Sequence, residues 1–261
     1  MPTICILPGL VLYGVATLLG WVHEFGLWPT GRPWGVRLFW TGFLLQTIYL
    51  PFAIFWAGAP YFAHRGITIG VLAWGCAAAY AVLLRHPRWQ ALGSIFFPLI
   101  FLLLLLSMME SAPFRGAMHA ETTAILPIHL ALAMSAMALY VISFLCGVVY
   151  LWSERRLKSR RPAARWLRIP SLPVLEGTLG RLLTIGYVIL TLTLITGMLL
   201  SVVFPGAGSA MGHRWWALGA WVIYGVVLQR RLTRGWRRRW IPLSLAGFAV
   251  ILFSFLEVHG I

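Results

Sequence analysis

Eight long apolar stretches fill nearly the whole of this 261-residue chain. A helix needs about 20 apolar residues to cross the hydrocarbon of a bilayer, where every backbone polar group must find a partner within the protein. With 60% hydrophobic and 10% charged residues, the composition does not suit a water-soluble core. The sequence therefore predicts an all-α, polytopic transmembrane helix bundle of about eight spans, forming one integral membrane domain over residues 1–261. The predicted spans are Ile4–Phe25, Leu38–Ala57, Ile67–Leu84, Ala91–Met109, Ile125–Trp152, Leu182–Phe204, Trp215–Leu228 and Ile241–Val258.

Positive charge is distributed unequally among the gaps between these spans. Eighteen of the 21 Lys and Arg residues lie in the odd-numbered gaps or at Arg181, whereas the even-numbered gaps hold only Arg65, Arg115 and Arg214. Because short cytoplasmic loops retain Lys and Arg, we expect the odd gaps on the cytoplasmic side and both termini on the outer side. The longest basic gap, 153–181, is predicted to be a cytoplasmic connection. These features predict a multi-pass protein of the bacterial inner (plasma) membrane.

The placement of charge, the placement of histidines and the lack of catalytic motifs argue against several classes of function. The net charge of +15 is explained by topology and attraction to anionic lipid, so we expect lipid and not nucleic acid as a partner. A proton pump or ion-coupled carrier would need titratable groups inside the spans, and the centre of every predicted span is uncharged. A cytochrome b-type redox subunit would need paired histidines deep in facing spans, which this chain lacks. No phosphate-binding loop, HExxH or Gly-x-Ser-x-Gly motif occurs, so we expect no enzymatic activity.

The histidines show a pattern of their own. Five of the seven fall on the predicted outer side, at positions 64, 119, 129, 213 and 259. The outer-side arginines, Arg65, Arg115 and Arg214, each lie within four residues of one of them. Haem suits both residue types, because it offers an iron to neutral imidazole and two propionates to guanidinium groups. Short outer loops also bring residues together by chance, so both interpretations stay open at this point.

Two of these histidines flank the start of the predicted fifth span. His119 lies in the outer loop, and His129 follows Pro127, a residue suited to the first helical turn because its missing N–H needs no partner there. His129 is therefore expected about one turn inside the helix, near the outer membrane interface. Two imidazoles at this depth are suited to be axial ligands of a flat cofactor.

Short motifs recur in a fixed order through the second half of the chain. They are His119-x-Glu121 with His129, Ser135 and Tyr140; Ser171-Leu-Pro-Val-Leu-Glu176; Ile185-Gly186; Leu190-Thr191-Leu192-Thr193; Thr196-Gly197; Trp221-Val-Ile-Tyr224; and Arg234-Gly235-Trp236-Arg237. In this order and spacing they resemble the cytochrome c assembly protein family, which includes CcsA, CcmC and HemX-type membrane proteins. The similarity is greatest to the small eight-span branch of that family (HemX-like and YpjD-like).

The resemblance implies haem handling: binding haem in the membrane and presenting it at the outer face for attachment to apocytochrome c. Carried over by position, it implies that His129 contacts haem, with His119 as its neighbour. The chain also departs from the family pattern. Trp215-Trp216 is a pair without the remainder of the WWD loop; Gln46-Thr47 stands where the small branch has a histidine in its second span, and Arg231-Leu-Thr-Arg234 where it has histidines before Gly-Trp-Arg.

We therefore predict a non-enzymatic membrane factor for cytochrome c biogenesis, with His129 and His119 as candidate iron ligands. Arg115 and Arg214 are candidate propionate partners, and His213 is a further candidate for contact with haem. The expected partners are membrane lipid, haem, and other cytochrome c assembly proteins or apocytochrome c. The alternative is a haem-free accessory or regulatory membrane protein that acts through a partner protein.

Overall fold

The computed structural model of the chain describes residues 3–28, 31–57, 65–110, 125–158, 170–203, 211–234 and 240–259. Within these ranges the fold consists of eight α-helices and a six-residue 3₁₀ helix, Pro87–Leu92. The prediction of an all-α protein is confirmed. The α-helices are α1 (Thr3–Glu24), α2 (Gly31–Ala57), α3 (Arg65–Leu83), α4 (Gly93–Met109), α5 (Ile125–Lys158), α6 (Leu172–Val203), α7 (Met211–Arg234) and α8 (Trp240–His259).

Six of the helices in the described ranges, α1 to α6, are long and apolar enough to cross a membrane. Helix α8 contains a shorter apolar segment, Trp240–Phe255. Helix α7 is less apolar because its last turns carry Gln229, Arg230 and Arg231. Its 24 residues nevertheless extend about 36 Å, which exceeds the hydrocarbon thickness of about 30 Å. The polytopic membrane bundle is confirmed, and the outer placement of the termini stays a prediction.

Helices α5 and α6 extend further than the predicted spans, into the connection expected at 153–181. Helix α5 continues to Lys158, and α6 begins at Leu172, ten residues before the predicted start at Leu182. Pro173 does not prevent this, because proline is well tolerated in the first turn of a helix. Leu175 and Leu179 in the added turns are buried, so packing against neighbouring side chains stabilises this part of α6.

The helices fall into two compact units. Unit 1 contains α1 to α4, and unit 2 contains α5 up to Arg155 together with α6, α7 and α8. In unit 1, α1 packs against α2 and α4, and α3 packs against α4. Its buried core contains packed aromatic rings. The ring centroids of Phe39 and Phe97 are 5.3 Å apart, and those of Tyr80 and Phe96 are 4.4 Å apart. That residues 1–261 form a single membrane domain stays a prediction.

In unit 2, aromatic rings pack over glycines of a neighbouring helix. A Cβ atom at Gly197 of α6 would lie 3.0 Å from the His129 ring of α5, and one at Gly186 would lie 3.2 Å from the Tyr140 ring. The two rings are 11 residues apart on α5, and the two glycines are 11 residues apart on α6, which is about three helical turns. Helices α5 and α6 therefore run antiparallel in a single register. Lipid is as apolar as these helices, so close packing of this kind is what stabilises their association.

Helix α7 pairs with α6 in the same manner. The Trp221 indole Nε1 donates a hydrogen bond of 2.9 Å to Thr191 Oγ1, and a Cβ atom at Gly225 would lie 3.0 Å from the Tyr187 hydroxyl. Both pairs require the same antiparallel register. The Tyr224 ring of α7 stacks on Tyr140 of α5 at 4.1 Å, so α7 contacts α5 as well as α6.

Candidate functional site

His129 lies at the start of α5 and contacts two adjacent residues near the end of α6. The half-buried imidazole has its Nδ1 atom 2.9 Å from Thr196 Oγ1, and its ring packs against the backbone of Gly197. Glycine at position 197 allows this approach without displacing the ring, because a Cβ atom there would lie 3.0 Å from His129 Cε1. The hydrogen bond and the glycine together hold the ring against α6.

The hydrogen bonds of Thr196 indicate which nitrogen of His129 carries the proton. Thr196 Oγ1 donates to the backbone carbonyl oxygens of Leu192 and Thr193, each at 3.0 Å. A hydroxyl group has one proton, and with that proton on either carbonyl oxygen it accepts from His129, whose Nδ1–H is then the donor. A neutral imidazole in this tautomer carries its lone pair on Nε2, one of the two nitrogens that bind metals in proteins. The donor chemistry of His129 therefore fits an iron ligand.

His213 and Arg214 belong to the first turn of α7, and their side chains lie outside what the structure describes. The register of α6 and α7 still places their backbone. Residues 191 and 221 pair across the two antiparallel helices, so residue 213 is level with residue 199 of α6, and residue 214 with residue 198. This is within one turn of Thr196. His129, His213 and Arg214 therefore belong to the same end of unit 2.

The other two predicted site residues, His119 and Arg115, lie outside the described residues. Joint ligation of one iron by His119 and His129 stays a prediction. Within the described ranges, no group of three His, Cys, Asp or Glu side chains is placed to hold a metal ion. In that part of the chain the site offers a single imidazole ligand and not a complete metal coordination shell.

Gln46, where the resemblance led us to expect a histidine, is part of a buried hydrogen-bond network in unit 1. Its Oε1 atom accepts from the Tyr13 hydroxyl at 3.1 Å, and its Nε2 atom donates to the Gly70 carbonyl oxygen at 3.3 Å. The adjacent cavity, which Gln46 lines together with Tyr49 and Ser107, has a volume of about 20 Å³. That space suits about one water molecule and is far too small for a porphyrin.

Arg231, at the second such position, connects α7 to α6. Its Nη1 atom donates to Thr184 Oγ1 at 3.3 Å, and its guanidinium group packs directly over Gly180. It also interacts electrostatically with Glu176. Gln46 and Arg231, at the two positions where the resemblance led us to expect histidines, therefore both make contacts that hold helices together.

Sequence reasoning did not identify Thr196 and Gly197 as contacts of His129. In the sequence the pair appears only as one of the motifs that carry the family resemblance. Sequence reasoning did place His129 near the end of a helix. The signal that links them is the matching 11-residue spacing of His129 and Tyr140 on one helix and of Gly186 and Gly197 on the next.

The chain is similar in sequence to known membrane proteins. A family model described as "Cytochrome C assembly protein" matches residues 66–260. The chain is 26% identical to the inner membrane protein YpjD of Escherichia coli K12 over 182 residues, which cover 69% of this chain and 67% of that protein.

Two cyanobacterial proteins match over shorter stretches. The cytochrome c biogenesis protein CcsA of a Synechococcus strain is 31% identical over 102 residues, covering 36% of this chain and 27% of that protein. CcsA of Prochlorococcus marinus NATL1A is 36% identical over 87 residues, which cover 30% of this chain and 26% of that protein. The match thus spans about a quarter of each CcsA protein. No solved structure matches the chain significantly.

Proposed function

The chain belongs to the cytochrome c assembly protein family, as a multi-pass inner membrane protein with a role in cytochrome c biogenesis, and we propose that it holds or presents haem at the outer face of the membrane. Haem is bound at the end of unit 2 that contains the start of α5. The proposed role is that of a binding and presenting factor and not of an enzyme.

The placement of His129 is the observation that carries this proposal. The imidazole is anchored through Nδ1 and by its packing on Gly197, so its orientation is restricted, and Nε2 has the lone pair that an iron ligand needs. A ligand restricted in this way loses less side-chain freedom on binding than a surface histidine does.

The remaining predicted residues complete the proposed site. Arg214, at the start of α7, and Arg115 would contact the haem propionates, since guanidinium groups pair with carboxylates through two parallel hydrogen bonds. His119 is the proposed second axial ligand, and His213 is a further candidate for contact with haem. Apocytochrome c and other assembly proteins are the proposed partners at the outer face.

Spectroscopy of the purified protein tests this function. The full chain, purified in detergent and titrated with hemin, is expected to show a Soret band that His129→Ala removes. His86→Ala is a suitable control, because His86 is on the predicted opposite side of the membrane. If wild type and His129→Ala bind hemin equally well, His129 is not the ligand.

A haem-free accessory protein is the second candidate, and the contacts of Gln46 and Arg231 favour it. At both positions where the small branch has histidines, these residues make contacts within the helix bundle. A preparation that stays colourless with hemin but retains a specific membrane partner would support this second function over the first.

A further inference from the structure

We propose that Thr196 is a positioning residue that sets the tautomer of His129, so that the imidazole presents Nε2, and not Nδ1, to the haem iron. This inference rests on the proposed haem-holding function, which it deepens. Thr196 itself does not contact the iron in this arrangement. It acts through the hydrogen bond from Nδ1 of His129 to its hydroxyl group.

Thr196 has acceptors for its hydroxyl proton on its own helix. The carbonyl oxygens of Leu192 and Thr193, one turn earlier, each lie 3.0 Å from Oγ1, and a proton directed at either of them leaves the 2.9 Å contact to Nδ1 for an accepted hydrogen bond. Such back-bonding to the preceding turn is a common arrangement for threonine within a helix. In this arrangement the hydroxyl group acts only as an acceptor toward His129.

The Nδ1 side of the imidazole ring is the side that packs on α6. Gly197 lets the imidazole lie against α6, where Cε1 is within 3.0 Å and Nδ1 within 3.6 Å of the place a Cβ atom would occupy. Nε2 is farther from that point, at 3.9 Å. The Nδ1–Cε1 edge of the ring is therefore the edge that packs most closely on Gly197, and its Nδ1 atom is the one held at Thr196.

The distinction matters for affinity. A metal-binding histidine commonly donates its other ring N–H to an oxygen atom, which fixes the tautomer and makes the ligating nitrogen more basic. Thr196 Oγ1 provides that oxygen. Removing such a partner typically lowers metal affinity by about 10- to 100-fold.

The test uses three variants of the full chain. Thr196→Val keeps the shape of the side chain and removes the hydroxyl group, whereas Thr196→Ser keeps the hydroxyl group and should rescue the function. Thr193→Val is the matched control, since the Thr193 hydroxyl bonds to the Ile189 carbonyl oxygen of its own helix.

The first readout needs no haem. Ring ¹⁵N chemical shifts of His129 are measured in the haem-free protein at about pH 8.5, two units above the ordinary histidine pKa. Wild type, Thr196→Ser and Thr193→Val should show a protonated Nδ1 and an unprotonated Nε2. Thr196→Val should shift the population toward the opposite tautomer. An unchanged tautomer in Thr196→Val would overturn the proposal.

The second readout is hemin affinity, from the Soret band. Thr196→Val is expected to bind at least about tenfold more weakly than wild type, and the other two variants to bind normally. A shifted tautomer with unchanged affinity would overturn the link between Thr196 and haem. Absence of a Soret band in wild type would overturn the proposed function itself, while the ¹⁵N shifts would still decide whether Thr196 sets the tautomer.

Discussion

At the scale of single residues, a methyl group added at position 197 tests the packing of the His129 ring. Gly197→Ala would place a Cβ atom 3.0 Å from His129 Cε1, closer than ordinary van der Waals contact, so the ring must move by a few tenths of an ångström. We expect hemin affinity to fall about tenfold, as for other losses of support to a metal ligand. The measurement is a Soret titration.

Gly177→Ala provides the control for that substitution. Gly177 is on the same helix, and a Cβ atom there meets nothing within 4 Å. The added methyl group should leave hemin affinity unchanged, and the better helix propensity of alanine should slightly stabilise α6. Equal hemin affinities for the two variants would show that Gly197 has no special role beside His129.

Substitution of Gln46 is expected to change the stability of the protein and to leave hemin binding unchanged. Gln46→Leu removes the acceptor of the buried Tyr13 hydroxyl, which should cost about 1–3 kcal/mol in the free energy of unfolding. We expect a lower Tm in detergent and an unchanged Soret titration of the folded protein. Tyr13→Phe combined with Gln46→Leu should cost less than the two single changes added together, because neither partner is then left unsatisfied.

The residue scale also shows where sequence reasoning stops. The depth of His129 within α5 follows from Pro127 and the start of the apolar stretch. Its contact with Thr196 does not, because the two residues are 67 positions apart and the matching 11-residue spacings on α5 and α6 gain meaning only once the two helices are known to pair. Likewise, Gln46 could be recognised as a replacement for histidine, but its bonds to Tyr13 and Gly70 depend on how three helices pack.

At the scale of helices, the contact between α5 and α6 depends on small residues at fixed intervals. Gly186→Leu would force a large side chain against the buried Tyr140 ring, which lies 3.2 Å from the position of a Cβ atom. Overpacking of this kind typically costs about 1–3 kcal/mol. We expect a lower Tm in detergent for Gly186→Leu. Gly177→Leu should leave the Tm unchanged, because its side chain enters open space. Equal losses in both variants would contradict the close packing at position 186.

The helices themselves were largely predictable. Their number follows from the eight apolar stretches, since uninterrupted apolar runs of this length form helices in a membrane. The start of α6 differs from the prediction, which placed residues up to Arg181 in a cytoplasmic connection. The structure shows Pro173 in the first turn, followed by buried Leu175 and Leu179. Proline indicates both a helix start and a loop, and only packing distinguishes the two.

At the scale of the whole molecule, the two ends of unit 2 differ in chemistry. One end has Arg231 bound to α6 near Gly180 and Thr184. The other has His129 beside Thr196, 12 residues further along α6, about 18 Å from Thr184. A basic end and an imidazole end separated in this manner fit opposite surfaces of one membrane, with the arginines retained on the cytoplasmic side.

Accessibility labelling along α7 tests the orientation that this polarity predicts. Trp215 and Thr233 are both exposed and lie 18 residues apart on one helix, about 27 Å. In a Cys5→Ser background, where Cys76 and Cys146 are buried, we expect Trp215→Cys to react with a membrane-impermeant maleimide in intact spheroplasts. Thr233→Cys should react only after permeabilisation. The reverse pattern would place His129 at the cytoplasmic face and rule out haem presentation at the outer face. Reaction of both cysteines before permeabilisation would mean that α7 does not cross the membrane.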